Sequence, residues 1–330
     1  MKLPTELLFL TTLLLPPISS APATPALHRR SASFASVLGL TPLNNDFSDL
    51  ETVSHPTKFF HESTFSYHYD GRFASSGLPH EERLEHLRLM LRAYTSTMAR
   101  IGVRTWLMHG CLLGWWWNGR IMPWDTDMDF MVDEIGMREL GGWWNMSVHD
   151  FPDHKHEDSN TNPREKDGGR RKYLLEINPQ YTNTSTTDRD NVIDARWIDT
   201  ATGLFIDITT LHTQPPSEDE DDEEEAEDKD PGLYTKDKHA YSQSQIFPLR
   251  TSTFEDLPIS VPYGYEEVLL DEYGPKAITE RWYRGWKFVG GEWLRDQGEA
   301  TEEFEQWGKG KGKVSEEKYM IEAIGGKLGR

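Results

Sequence analysis

The sequence predicts an α/β protein, because helical and strand patterns interleave along it. Three observations carry that reading. Leu84, Leu87, Leu91, Tyr94 and Met98 recur at spacings of three and four, which gives a helix one apolar face. Residues 103–108 and 121–132 read as strands, joined through a glycine corner and a short helix. Residues 191–199 and 203–209 read as paired strands about a turn at 200–203.

The chain has 330 residues, enough for one large domain or two small ones. Its net charge is −20, but residues 218–230 hold 11 acids against one lysine and supply −10 of it. The mildly acidic remainder argues against nucleic-acid binding through a basic surface. A single cysteine, Cys111, rules out an internal disulfide framework and a cysteine-rich zinc site.

Residues 1–23 combine Lys2, an apolar run over 7–15 and a small-residue exit ending Ala21-Pro22-Ala23, which reads as a secretory signal. The run is about half of the ~20 residues that span a bilayer. An uncleaved anchor, tying the protein to a membrane, is the alternative. Asn145-Met146-Ser147 and Asn183-Thr184-Ser185 fit glycosylation acceptors on that route. Residues 24–57 are rich in Pro, Ser, Ala and Thr and read as a linker. The ordered domain is then 58–290. Its first segment, FFHESTFSYHYDGRF, crowds aromatics and histidines, which suit either ligands or, more simply, packing.

Pro79 opens the amphipathic helix, Glu81 and Glu82 favour its N-terminal dipole, and Gly102 ends it. His109-Gly110-Cys111 makes a corner into a helix over 112–117, and Asn118-Gly119 is a two-residue turn signal. Trp115, Trp116 and Trp117 suit either core packing or stacking on a sugar or base. Residues 149–171 read as a surface loop and 173–177 as a strand. The acidic stretch 214–232 reads as a solvated insertion. YEEVLLDEYG is a glycine-capped helix, residues 278–293 are a tryptophan-rich packing segment, and 291–330 read as a mobile tail.

The chemistry sits in PWDTDMDF. Single-residue spacing places Asp125, Asp127 and Asp129 on one face of a strand. Stacked carboxylates repel, and a hard divalent cation such as Mg²⁺ or Mn²⁺ removes that cost. Asp207, inside the apolar run Phe205-Ile206-Asp207-Ile208, is a candidate third ligand, because a lone carboxylate there is costly unless paired or metal-bound. A helix opening after Gly110 offers free N–H groups to a phosphate. Arg120 and Arg196 are each either phosphate grips or structural ion-pair partners. A general base is either Asp125 or one of the metal-held carboxylates. No Gly-x-x-x-x-Gly-Lys is present, which excludes a P-loop. The set suits in-line attack on phosphorus.

HGCLLGWWWNGRIMPWDTDMDF closely resembles the LicD/fukutin family of the nucleotidyltransferase superfamily. FFHE with YHYDGRF, YLLEINPQY, and NVIDARWID with GLFIDIT resemble its fungal mannosylphosphate-transfer branch, and VPYGYEEVLLDEYG resembles the family's closing segment. The resemblance implies a nucleotidyltransferase-like mixed β-sheet flanked by helices, of α+β type. It implies transfer of mannose 1-phosphate from GDP-mannose to a glycan hydroxyl, in the secretory pathway and within the Golgi lumen. Asp127 and Asp129 match the paired metal ligands, Asp207 the third carboxylate and Asp125 the acid before the pair. Cys111 departs from the usual Ser or Thr, and a thiol is a weaker donor. Two alternatives stay open: a non-catalytic regulator of a separate transferase, and a transferase using a CDP compound.

Overall fold

Helix α1 (His80–Ile101) buries Leu84, Leu87, Leu91, Tyr94 and Met98, the stripe that its spacing defines. Gly102 closes it in the left-handed conformation, at φ 77°. The computed structural model describes residues 33–50, 58–152, 170–214 and 232–296. After α1 come β1 (Thr105–Leu107), α2 (His109–Asn118) and β2 (Met128–Asp133). The Asn118-Gly119 pair ends α2, with Gly119 at φ 71°, and makes no hairpin turn. The apolar run continues the helix to Asn118, and a left-handed glycine stops it. The next strand begins at Met128 rather than at residue 121. Residues 121–127 form a turn in which the Asp125 amide donates to the Met122 carbonyl at 3.0 Å. Gly114 lets that return segment lie on α2, since a Cβ there would sit 2.5 Å from the Arg120 carbonyl oxygen.

The main sheet adds β3 (Ser147–Pro152), β4 (Arg170–Ile177), β5 (Ala195–Asp199), β6 (Phe205–Thr213), β7 (Gly232–Tyr234) and β8 (Ala240–Ser242). Its order is β1-β2-β6-β5-β4-β3, with β7 on the end of β6 and β8 beyond it. Among the described strands of this sheet only the central β2–β6 pair is parallel, so the sheet is mixed. The predicted loop at 149–171 is strand at both ends, and 153–169 lie outside the described residues. A short helix, α3 (Glu134–Glu139), follows β2. After β8 come α4 (Gln243–Ile246), the hairpin β9 (Arg250–Phe254) with β10 (Leu257–Val261), and α5 (Tyr265–Tyr273). A three-stranded sheet of β11 (Trp282–Tyr283), β12 (Trp286–Val289) and β13 (Glu292–Arg295) ends the described chain. The domain therefore runs past residue 290, to Arg295 at least.

One face of the sheet carries the main core. There Tyr94 of α1 meets the rings of Phe130 and Trp197 at 4.7 and 6.1 Å. Trp117 packs on Phe288 and Trp293, and all three indoles of Trp115, Trp116 and Trp117 donate hydrogen bonds within the fold. The tryptophan run is thus packing rather than an exposed stacking platform. The other face holds a smaller apolar cluster of Val37, Phe73, Leu174, Ile198 and Phe205. Val37 corrects the linker expectation for 33–50, because it is buried against the sheet. Gly71 permits that close approach; a Cβ there would fall 2.2 Å from the Ser48 amide nitrogen. The signal-like residues 1–23, acidic residues 215–231 and residues 297–330 lie outside the described residues. Gln214 and Gly232, which flank the acidic stretch, are joined by an amide-to-carbonyl hydrogen bond of 2.9 Å. No described helix is long and apolar enough to cross a membrane.

The segment over the second face is held by buried ions. Arg72 bonds Asp70 through Nε at 2.9 Å and Glu176 of β4 through Nη2 at 2.6 Å. Burial works against its charge, but the two carboxylates more than compensate and raise its pKa well above the ordinary arginine value. Arg72→Met leaves two buried acids unpaired, and a loss of about 3–5 kcal/mol is expected. Urea unfolding measures it; a loss below about 1 kcal/mol would mean that apolar packing alone seats the segment. Cys111 on α2 is also buried, and burial followed by Asp129 and Asp125 drives its pKa well up. As the chain's single thiol, it is expected to resist alkylation at mildly alkaline pH until denaturant is added; rapid labelling of the native protein would contradict this burial.

Candidate functional site

A row of charge crosses the second face of the sheet. Asp129 on β2 pairs in register with Asp207 on β6. Asp207 pairs with Arg196 on β5, and Arg196 with Glu176 on β4. Register partners point to the same side, with neighbouring strands about 4.8 Å apart. Two acids, a guanidinium and a third acid therefore lie side by side across four strands. The alternation that puts them there also sends Met128, Phe130, Ile206, Ile208 and Trp197 into the main core.

Arg196 is the hub. Its Nε donates to Asp207 Oδ1 at 2.7 Å and its Nη2 to Glu62 Oε1 at 3.0 Å. The guanidinium lies 3.9 Å from the Phe205 ring centroid and 4.8 Å from that of Phe60. Burial opposes its charge, and Asp207 and Glu62 outweigh burial, so its pKa rises. Of the two readings of Arg196, the geometry shows the ion-pair partner. Its Nη1 has no hydrogen-bond partner among the described residues.

Asp207 answers the other way. Burial raises its carboxyl above the usual range, Arg196 pulls it back, and Asp127 and Glu62 push it up again. Asp127 lies just before β2 and meets His68 Nδ1 at 2.9 Å through Oδ2. Burial raises it, but His68 and then Arg196 bring its pKa below the ordinary value. Glu62 also falls, because Arg196 and Lys58 together exceed its burial cost.

Two expected site residues stand differently. Asp125 is off the strand, in the turn before it, and one of its carboxylate oxygens is 3.5 Å from where a Cβ on Gly110 would be. An acid therefore lies against the first turn of α2, where a phosphate is expected from the sequence. Arg120 follows the opposite end of α2 and bonds Glu255 at 3.2 Å and Asp256 at 2.8 Å. It is an ion-pair partner of the β9–β10 turn and is not brought to the carboxylates. Gly110 and Cys111 open α2 beside them, and the Asp129 backbone hydrogen-bonds the Cys111 sulfur.

The donor chemistry fits a hard divalent cation, since Asp127, Asp129 and Asp207 offer only carboxylate oxygen. Arg196 donates to Oδ1 of Asp207, and His68 Nδ1 meets Oδ2 of Asp127. Partners of this kind orient metal-binding carboxylates elsewhere. The three side chains do not converge to ligand spacing here. Among the described residues, the group whose ligand atoms all lie within 4.8 Å of one another is His109, His239 and Glu272.

Sequence reasoning missed His68 and Glu62, both in the aromatic and histidine-rich stretch read as packing. It also missed His109, His239 and Glu272. The signal for His68 was its place in YHYDGRF; its partner is 59 residues away, and spacing cannot show that.

Residues 102–264 match the family model described as LicD/FKTN/FKRP, nucleotidyltransferase domain. Mannosyltransferase regulator 4 of Saccharomyces cerevisiae is 31% identical over 173 residues, which are 49% of this chain and 14% of the relative. Mannosyltransferase regulator 14 of the same yeast is 31% identical over 149 residues, 44% of this chain and 14% of that relative. The matched part is thus a small share of either yeast protein. It holds Asp129, Asp207 and Arg196 on strands of one mixed sheet, with Asp125 and Asp127 in the turn before β2, and residues 102–264 are similar to the LicD-type nucleotidyltransferase domain.

Proposed function

We propose that the chain is a metal-dependent phosphosugar transferase of the secretory pathway, acting in the Golgi lumen. It moves mannose 1-phosphate from GDP-mannose to a hydroxyl of a glycan. The observation that carries this reading is the register pairing of Asp129 with Asp207 beside the opening of α2.

Asp127, Asp129 and Asp207 would hold Mn²⁺ or Mg²⁺. A bound divalent ion supplies charge neutralisation on the diphosphate and on the leaving oxygen. The first-turn N–H groups of α2, from Gly110 and Cys111, orient the phosphate. Asp125, against that turn, accepts the proton of the acceptor hydroxyl. The hydroxyl oxygen bonds to the phosphorus carrying mannose, the bond from that phosphorus to the bridging oxygen breaks, and GMP leaves with the electron pair. Arg196 positions Asp207 and His68 positions Asp127.

A second reading is a non-catalytic regulator of a separate mannosylphosphate transferase. It is favoured by the names of the two yeast relatives, by the protein's own partners on Asp127 and Asp207, His68 and Arg196, and by a buried thiol at Cys111. The two readings separate in one assay with purified chain, labelled GDP-mannose, Mn²⁺ and an oligomannose acceptor. Transfer by the isolated chain is expected, with Asp127→Ala lowering it by about 100-fold or more, a loss of ~3 kcal/mol in transition-state stabilisation. Transfer that appears only with an added transferase, and that survives Asp127→Ala, supports the regulator instead. A donor series including CDP compounds tests the nucleotide. Mn²⁺ at about 100 times its dissociation constant should stabilise the fold by ~2.7 kcal/mol. Asp129→Asn should abolish that gain, and an unchanged gain in thermal unfolding would remove the cation from the carboxylate row.

A further inference from the structure

His109, His239 and Glu272 come from three separate parts of the chain. His109 opens α2, His239 lies between β7 and β8, and Glu272 is on α5. One ligand atom from each falls within 4.8 Å of the others, and the two imidazole centroids are 5.0 Å apart. We propose that these three residues form a zinc-class metal site, distinct from the carboxylate row, that ties the start of α2 to α5 and to the β7–β8 turn.

The donor set is the first argument. Two imidazoles and one carboxylate make a set that zinc accepts, with water as a fourth ligand. The carboxylate row is all oxygen and suits Mg²⁺ or Mn²⁺. Ligand type therefore sorts different metals to the two places.

Glu272 gives the second argument. Its side chain is only 8% exposed, and one oxygen, Oε1, meets His109 Nδ1. The other, Oε2, is buried with no hydrogen-bond partner among the described residues. A buried carboxylate oxygen left unsatisfied is costly. A metal ion at this point satisfies it.

His239 gives the third. Its Nδ1 faces Asp237 Oδ2 at 3.2 Å, and Asp237 is fixed in turn by the Thr235 hydroxyl. His239 Nδ1 is buried and makes no hydrogen bond among the described residues, so it is, with Glu272 Oε2, a second unsatisfied ligand-type atom at this point. The backbone of His109 agrees with these side chains. At φ 51° it occupies the left-handed region, which is disfavoured for a residue with a Cβ and persists where surroundings fix it.

The test uses the full chain after chelator treatment, titrated with Zn²⁺ against a chromophoric competitor. A single zinc is expected, and it should persist in an Asp127→Asn, Asp207→Asn double variant. His239→Gln should weaken binding by more than about 100-fold and Asp237→Asn by about 10–100-fold. Co²⁺ in place of Zn²⁺ should give visible absorption that His239→Gln removes. Circular dichroism checks that the variants fold. Absence of zinc binding by the unmodified chain overturns the proposal without any variant. So does zinc binding that survives both His239→Gln and Glu272→Gln, or that is lost in the double aspartate variant. The proposal does not rest on the transferase reading, and an inactive chain that still holds zinc separates the two.

Discussion

Arg196 is the constraint on which the second face of the sheet depends. Four charged residues cross adjacent strands, and two of them, Asp129 and Asp207, are like charges side by side. Burial adds to the cost for Asp207. A single guanidinium between Asp207 and Glu62, stacked on Phe205 and near Phe60, makes that arrangement tolerable. Its second carboxylate comes from outside the sheet. The same ion that compensates the row therefore pins the 58–74 segment over it, with Arg72 doing likewise one strand farther along through Glu176. Removing a partner from such a network strands a buried charge, so sheet, cover and site stand together.

Periodicity made the scaffold legible. α1 was readable from five apolar positions and a closing glycine, and β5 with β6 from a turn between apolar runs. The glycine signal at Asn118-Gly119 misled, because the same left-handed residue serves a hairpin and a helix end. The strand over 121–132 was too long, because an acid every second residue suits an extended loop as well as a strand. At 33–50, composition argued for a linker; one buried valine and a glycine-permitted backbone contact reversed that, and neither has a compositional signature.

The site was half legible for a related reason. An acid inside an apolar strand must have a partner, and that rule found Asp207. It could not say whether the partner is metal or protein. Glu62, the second partner of Arg196, and His68, the partner of Asp127, come from 134 and 59 residues away, in a stretch whose histidines looked like packing. Arg120 shows the converse: a cation close in sequence to the acids ends at the far end of α2 on the β9–β10 turn.

The beginning of α2 is where these threads meet. Its first residue, His109, reaches Glu272 on α5, its second lies against Asp125, and its third is bonded to the Asp129 backbone. A helix N-terminus attracts negative charge, and here the protein itself supplies carboxylates around it. On the proposed function an incoming diphosphate would meet those acids, and like charges cannot be brought together there at low cost. The acids suit the diphosphate only with a cation between them. On the proposed function, N–H groups that orient a phosphate beside Asp125 would make nucleotide binding and metal binding one coupled event, in which neither ligand should bind tightly without the other.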